Sequence, residues 1–122
     1  MKTNGSLALL AIGALAVVAG CATTPAPTEQ MAVSNSAIAN AVSAGGAEYA
    51  AVEMKSAQEK MDRANRAMAK EDYDAARSLA EEAQADARLA EKKAQSEKAR
   101  QAAVVMQDDA RVLREELNRK TK

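Results

Sequence analysis

Cys21 is the side chain in this sequence with the most obvious covalent chemistry. It is the only cysteine among 122 residues, and its thiolate is a better nucleophile than any hydroxyl in the chain. No histidine accompanies it. That absence removes the imidazole general base, the Cys-His nucleophile pair and the common zinc sites, so most catalytic templates lose their central residue. Carboxylates are paired at Glu81-Glu82 and Asp108-Asp109, but helix neighbours diverge by about 100° and cannot flank one substrate atom. Gly45-Gly46 lacks the Lys-Ser that follows in a phosphate loop. The 17 basic and 17 acidic residues cancel, which argues against a nucleic-acid footprint. The expectation is a non-enzyme with no metal, cofactor, small-molecule substrate or nucleic-acid partner.

The surroundings of Cys21 say what its thiol is for. Lys2 is the only basic residue before Lys55, and the uncharged, largely apolar run Leu7–Ala19 lies between them. At 13 residues it has the length of a secretory signal core and is too short to span a bilayer comfortably. It ends in Val18-Ala19-Gly20-Cys21, which resembles the lipobox of bacterial lipoproteins, although that family more often has Leu at the position of Val18. The resemblance implies cleavage between Gly20 and Cys21, a diacylglyceryl group on the Cys21 thiol and acylation of the new amino group. Ala19 and Gly20 are small enough to admit the peptidase. Each buried methylene contributes about 0.8 kcal/mol, so two or three chains hold stably where one holds marginally. Ala22 follows, rather than the Asp that resembles an inner-membrane retention signal, so the expected location is the outer membrane, facing the periplasm. A lipidated thiol leaves no cysteine for a disulfide.

Three elements are expected after the anchor. Ala22–Thr28 contains both prolines of the chain and forms a tether that spans on the order of 25 Å when extended. Beyond it the sequence is proline-free and rich in alanine, the best helix former, of which the chain has 31. A first helix from Glu29 to Ala44 carries Met31, Ile38, Ala41 and Val42 on one side and stops at Gly45-Gly46. A second, from Glu48 to Ala69, places Ala50, Met54, Ala57, Met61, Ala64 and Met68 at alternating steps of four and three. Asp72 is positioned to cap a third, whose stripe runs Tyr73, Ala76, Ala80, Ala83, Ala87, Ala90 and Ala94. The stripe then resumes out of register at Ala99, Ala103, Met106, Ala110, Leu113 and Leu117. No breaker intervenes, so one helix to about Asn118 is predicted.

The predicted fold is all-α: a signal peptide at 1–20, a lipidated tether at 21–28, and an alanine-rich helical domain at 29–122 that forms an elongated antiparallel hairpin or three-helix body. Methionines of the second helix should seat against the alanines of the third. The first helix matches the stretch Ala99–Leu117 in length and is expected to pack there. The alternative is self-association or a protein partner through Met106, Leu113 and Leu117. Acid-before-base pairs four apart, Glu59/Arg63, Asp62/Arg66, Glu115/Arg119 and Glu116/Lys120, read as solvated faces worth a few tenths of a kcal/mol each.

The stretch from Glu48 to Ala90 resembles a domain of unknown function found in alanine-rich bacterial lipoproteins, sometimes upstream of an OmpA-like peptidoglycan-binding domain. The matching residues are Glu48-Tyr49-Ala50, Ala57-Gln58-Glu59-Lys60 and Asp72-Tyr73-Asp74-Ala75-Ala76-Arg77, then Leu79-Ala80-Glu81, Ala83, Ala85-Asp86-Ala87 and Leu89-Ala90. Ala51 stands where the family often has proline, and Glu71 where it often has the glycine of the hairpin turn. Lys70 or Glu71 must then enter a left-handed conformation. Asp72–Ala76 also looks like the second helix of a tetratricopeptide unit, but one hairpin is not an array. The lipobox, the helical hairpin and the missing catalytic residues together lead to the expectation of a lipid-anchored envelope protein with a structural or partner-binding role. A second reading is a linker resembling the murein lipoprotein, joined to peptidoglycan through Lys122 of the final Arg-Lys-Thr-Lys.

Overall fold

The computed structural model describes residues 24–121, so Gly20, Cys21 and Lys122 lie outside the described residues. Within them every regular element is helical: α1 Thr28–Ala44, α2 Gly46–Tyr49, α3 Ala51–Ala69 and α4 Tyr73–Lys120. At 48 residues and about 1.5 Å per residue, α4 is roughly 70 Å long. It is the spine on which α1 and α3 lie.

The core is a seam of alanines. Ala76, Ala80, Ala83, Ala87, Ala90 and Ala94 of α4 are fully buried, at the expected steps of four and three. Met54, Ala57, Met61 and Ala64 of α3 meet them, with Met54 beside Ala87 and Ala90 and Met61 beside Ala80 and Ala83. A flexible thioether fills the space an alanine leaves, so large faces small along the seam.

α1 lies on the same half of α4. Met31 joins the cluster of Met61, Ala80 and Ala83, while Ala37 and Ala41 join that of Met54 and Ala90. The expected packing of the first helix against Ala99–Leu117 is therefore corrected. The two stretches match in length, but α1 buries more by completing a three-helix core than by lying alone on a distal stripe. The buried face also differs from the expected one. Ser34 and Ala37 are buried, Ile38 is partly buried and Val42 is exposed, because small residues let α1 approach the alanine seam closely. Ser34 Oγ lies 2.7 Å from the carbonyl oxygen of Ala80 and 2.8 Å from that of Gln30, so its one hydrogen is shared across the interface and the hydroxyl is satisfied.

The turns set the directions. Gly45 ends α1 at φ +93°, and Gly46 follows where an added Cβ would stand 2.8 Å from the Ala41 carbonyl oxygen and 2.9 Å from Met54. The glycine pair therefore reverses the chain tightly, and α3 returns antiparallel to α1 instead of stacking end to end with it. α3 starts at Ala51, where proline had been expected of relatives. Its far end closes with Glu71 N–H donating to the Met68 carbonyl and Asp72 N–H to that of Ala67. That is a Schellman cap with a glutamate, at φ +60°, in the place glycine usually takes. Asp72 then accepts from the Ala75 N–H at 3.2 Å and starts α4.

Glu71→Gly should raise stability by about 1 kcal/mol by relieving the left-handed residue, read as a higher midpoint in thermal unfolding followed by circular dichroism. Ser34→Ala should cost roughly 1 kcal/mol, and Ser34→Leu about 1–3 kcal/mol by overpacking the seam. A Leu variant as stable as the parent would contradict the close approach of α1 to α4.

Candidate functional site

Two regions carry chemistry: the polar rim where α3 meets α4, and the distal half of α4. On the rim, Asp86 accepts from Ser56 Oγ at 2.7 Å and Lys60 Nζ at 2.8 Å. Lys60 also reaches Glu82 at 3.4 Å, and Lys93 pairs with Glu53. These contacts join residues 22–40 apart in sequence and hold the register of α3 on α4. Lys93 holds the Glu53 carboxyl below the usual carboxylate range. Partial burial alone would raise the Asp86 carboxyl, but the bonds from Lys60 and Ser56 outweigh it and the net direction is down. Asp86 likewise holds the Lys60 ammonium above its ordinary value. Each charge is matched within the rim, which makes it a clasp.

Concave surface lies between α1 and α4 on the side away from α3. One groove is lined by Pro27, Gln30, Val33 and Arg77, the next by Val33, Asn40, Gln84, Arg88 and Glu91. Both are open, and neither brings together a nucleophile and a base.

Among the described residues nothing covers the distal half of α4. Tyr49 marks the last contact of the body, its hydroxyl donating to Gln101 Oε1 at 3.4 Å and its ring 5.9 Å from Lys98 Nζ. Past that level, side chains are exposed except for a half-covered Ala110, including Met106 at 73%, Leu113 at 64% and Leu117 at 64%. The reason lies in phase. The direction of the body seam continues at Lys98, Gln101, Val105, Asp108 and Val112, which is too polar to extend the core. The five-residue step from Ala94 to Ala99 turns the apolar stripe about 140° round the helix, away from α1 and α3.

The ends of the molecule are far apart. α1 runs parallel to α4, with Ser34 against Ala80 and Gly45 against Lys98. The tether at Thr24–Pro27 therefore leaves beside Arg77, at the end that holds the Lys70–Asp72 turn. The tip of α4 is the opposite end.

The domain of unknown function DUF4398 matches residues 29–106. The chain belongs to the DUF4398 family. The match spans α1 to α3 and the first part of α4, so the DUF4398 domain comprises the three-helix body and ends at Met106, within the exposed stripe. Comparison with curated proteins and with solved structures finds no match. Among the described residues no helix is long and apolar enough to cross a membrane.

Not all surface pairs formed as expected. Glu59 pairs with Lys55, Glu115 with Arg111 and Glu116 with Arg119, in place of the four acid-before-base pairs read from the sequence. Glu59 and Glu115 each have a base four residues away on both sides, and Glu116 has Arg119 and Lys120 within one turn; such exposed pairs differ by too little energy for spacing alone to choose.

The rim ties stability to pH. Glu53 and Asp86 contribute fully above the ordinary carboxylate range, about pH 4, and that contribution is lost as the pH falls through their lower folded values. Lys60 acts oppositely: its contribution is present below about pH 10 and lost as pH rises through its higher folded value. The melting temperature should therefore fall between pH 5 and 2 (approximate bounds from the same range), and Asp86→Asn should lower it at neutral pH but hardly at pH 2. Parallel pH profiles for the variant and the parent would exclude the clasp.

Proposed function

We propose that this chain is a non-enzymatic, lipid-anchored protein of the bacterial cell envelope, held through Cys21 to the outer membrane and facing the periplasm, where it has a structural or partner-binding role. The observation that carries the reading is the separation of the two ends. The tether follows the Val18-Ala19-Gly20-Cys21 motif and enters the body at one end, while an uncovered apolar face stands on a bare helix at the other. A strut of this form presents a helical surface on the order of 50 Å from its attachment point. The alanine seam and clasp make the body rigid enough to hold that surface out. The DUF4398 domain itself has no known activity to carry over, and the missing imidazole and the charge-matched rim favour binding over catalysis.

Joining to peptidoglycan through Lys122 is a second reading. α4 runs away from the tether end, so the stretch leading to Lys122 points where a wall attachment would need it.

Cys21→Ser tests the anchor. The parent should fractionate with outer membranes in high salt and show, by mass spectrometry, a chain beginning at acylated Cys21. The variant should lose both properties; a variant that stays with the membrane contradicts the reading. Muramidase digestion should release Lys122-linked muropeptides if the second reading holds, and none if it does not.

A further inference from the structure

The uncovered face has the grammar of a coiled coil. Ala99, Met106 and Leu113 take one core position of the heptad, and Ala103, Ala110 and Leu117 the other. The positions flanking this core carry opposite charges on opposite sides: Arg100, Gln107 and Arg114 on one, Ala102, Asp109 and Glu116 on the other. We propose that the face is covered by a second copy of this chain, paired in parallel and in register from Ala99 to Leu117.

Charge selects both the occupant and the direction. In a parallel pair the two flanks face each other across the seam, and Asp109 of each copy meets Arg114 of the other. Among the described residues neither Asp109 nor Arg114 has an ion-pair partner, whereas Arg100, Arg111, Glu115, Glu116 and Arg119 all do. Asp109 and Arg114, both without an ion-pair partner within one copy, are thus a pair that a parallel copy would satisfy. An antiparallel pair covering the same six core residues seats alanine against leucine or methionine, a better fit of volumes. It also sets Asp109 against Asp109 and Arg100 against Arg114, so every charged flank contact becomes repulsive.

Shape agrees. The face lies about 140° round α4 from the alanine seam that α1 and α3 cover, so the pairing surface is separate from the surface the body uses. Back along α4 the heptad phase falls on Ser96 and Lys92, both exposed, so the pairing stops at Ala99. The parallel arrangement also brings both tethers to the same side, as attachment to one membrane requires; this part of the argument rests on the function proposed above. The paired stretch is short, under three heptads, so confinement to a surface should strengthen it considerably.

Disulfide trapping in the full chain tests this. Equivalent core residues of a parallel pair are within disulfide reach, so Leu113→Cys should give a cross-linked dimer on oxidation of isolated envelopes. Asp109→Arg added to it should lower the yield roughly tenfold, and Arg114→Asp added to both should restore it. Cross-linking of an Ala103→Cys chain to a Leu113→Cys chain, with none for Leu113→Cys alone, means an antiparallel pair and overturns the proposal. No cross-link with either, or a yield indifferent to the charge exchange, overturns it too. Repeating the Leu113→Cys oxidation with Cys21→Ser keeps the readings apart: a dimer that persists there stands without the anchor, while loss of membrane fractionation alone bears only on the anchor.

Discussion

Everything in this protein hangs on six alanines of α4 spaced to form one seam. A methyl group buries little surface, so the seam gains its stability from letting two other helices come close and from receiving the methionines of α3 as fillers. That constraint explains the composition. With two aromatic residues in the chain, both tyrosines, the core cannot thicken into a globule, and it grows along the helix axis. It also explains Ser34, whose hydroxyl is small enough for the contact and finds a carbonyl across it. The clasp of Ser56, Lys60 and Asp86 fixes the sliding register that alanines, being alike, specify weakly.

The same seam decides where the body stops. α4 continues well past it, but the direction of the seam turns polar at Lys98 and Gln101, while the apolar residues reappear round the other side of the helix. A single five-residue step thus divides one continuous helix into a covered half and an offered half. The division is functional in form: the tether leaves near Arg77 and the offered face lies at the far end. Under the lipid anchor proposed above, that free surface would stand well clear of the membrane.

Resemblance and structure contribute different things. Membership of the DUF4398 family places residues 29–106 in a known domain and agrees with the motifs around Asp72 and Ala57. It assigns no activity. The proposed function rests on Cys21, on a rim whose charges are matched to one another, and on the face beyond Lys98.

Much of the fold was legible in the residues. The all-α class, the α3–α4 hairpin, the seam at steps of four and three and the cap at Asp72 all follow from local preferences and periodicity, which act over a few residues. The family resemblance narrows the left-handed residue to Lys70 or Glu71, and the structure places it at Glu71. Placement of α1 did not follow, because two stretches of α4 match it in length and only the three-way contact with Met54 and Met61 distinguishes them. The buried side of α1 was misread for a related reason: hydrophobicity marked Ile38 and Val42, whereas the space available in an alanine seam selects Ser34 and Ala37. The partners of the surface charges also escaped, since their energies are nearly equal until α3 and α4 are in register. Sequence alone determined what each segment is, through short-range physics. Tertiary structure decided which face of α4 is used up and which is left over, because burial is shared among three helices and cannot be assigned one helix at a time.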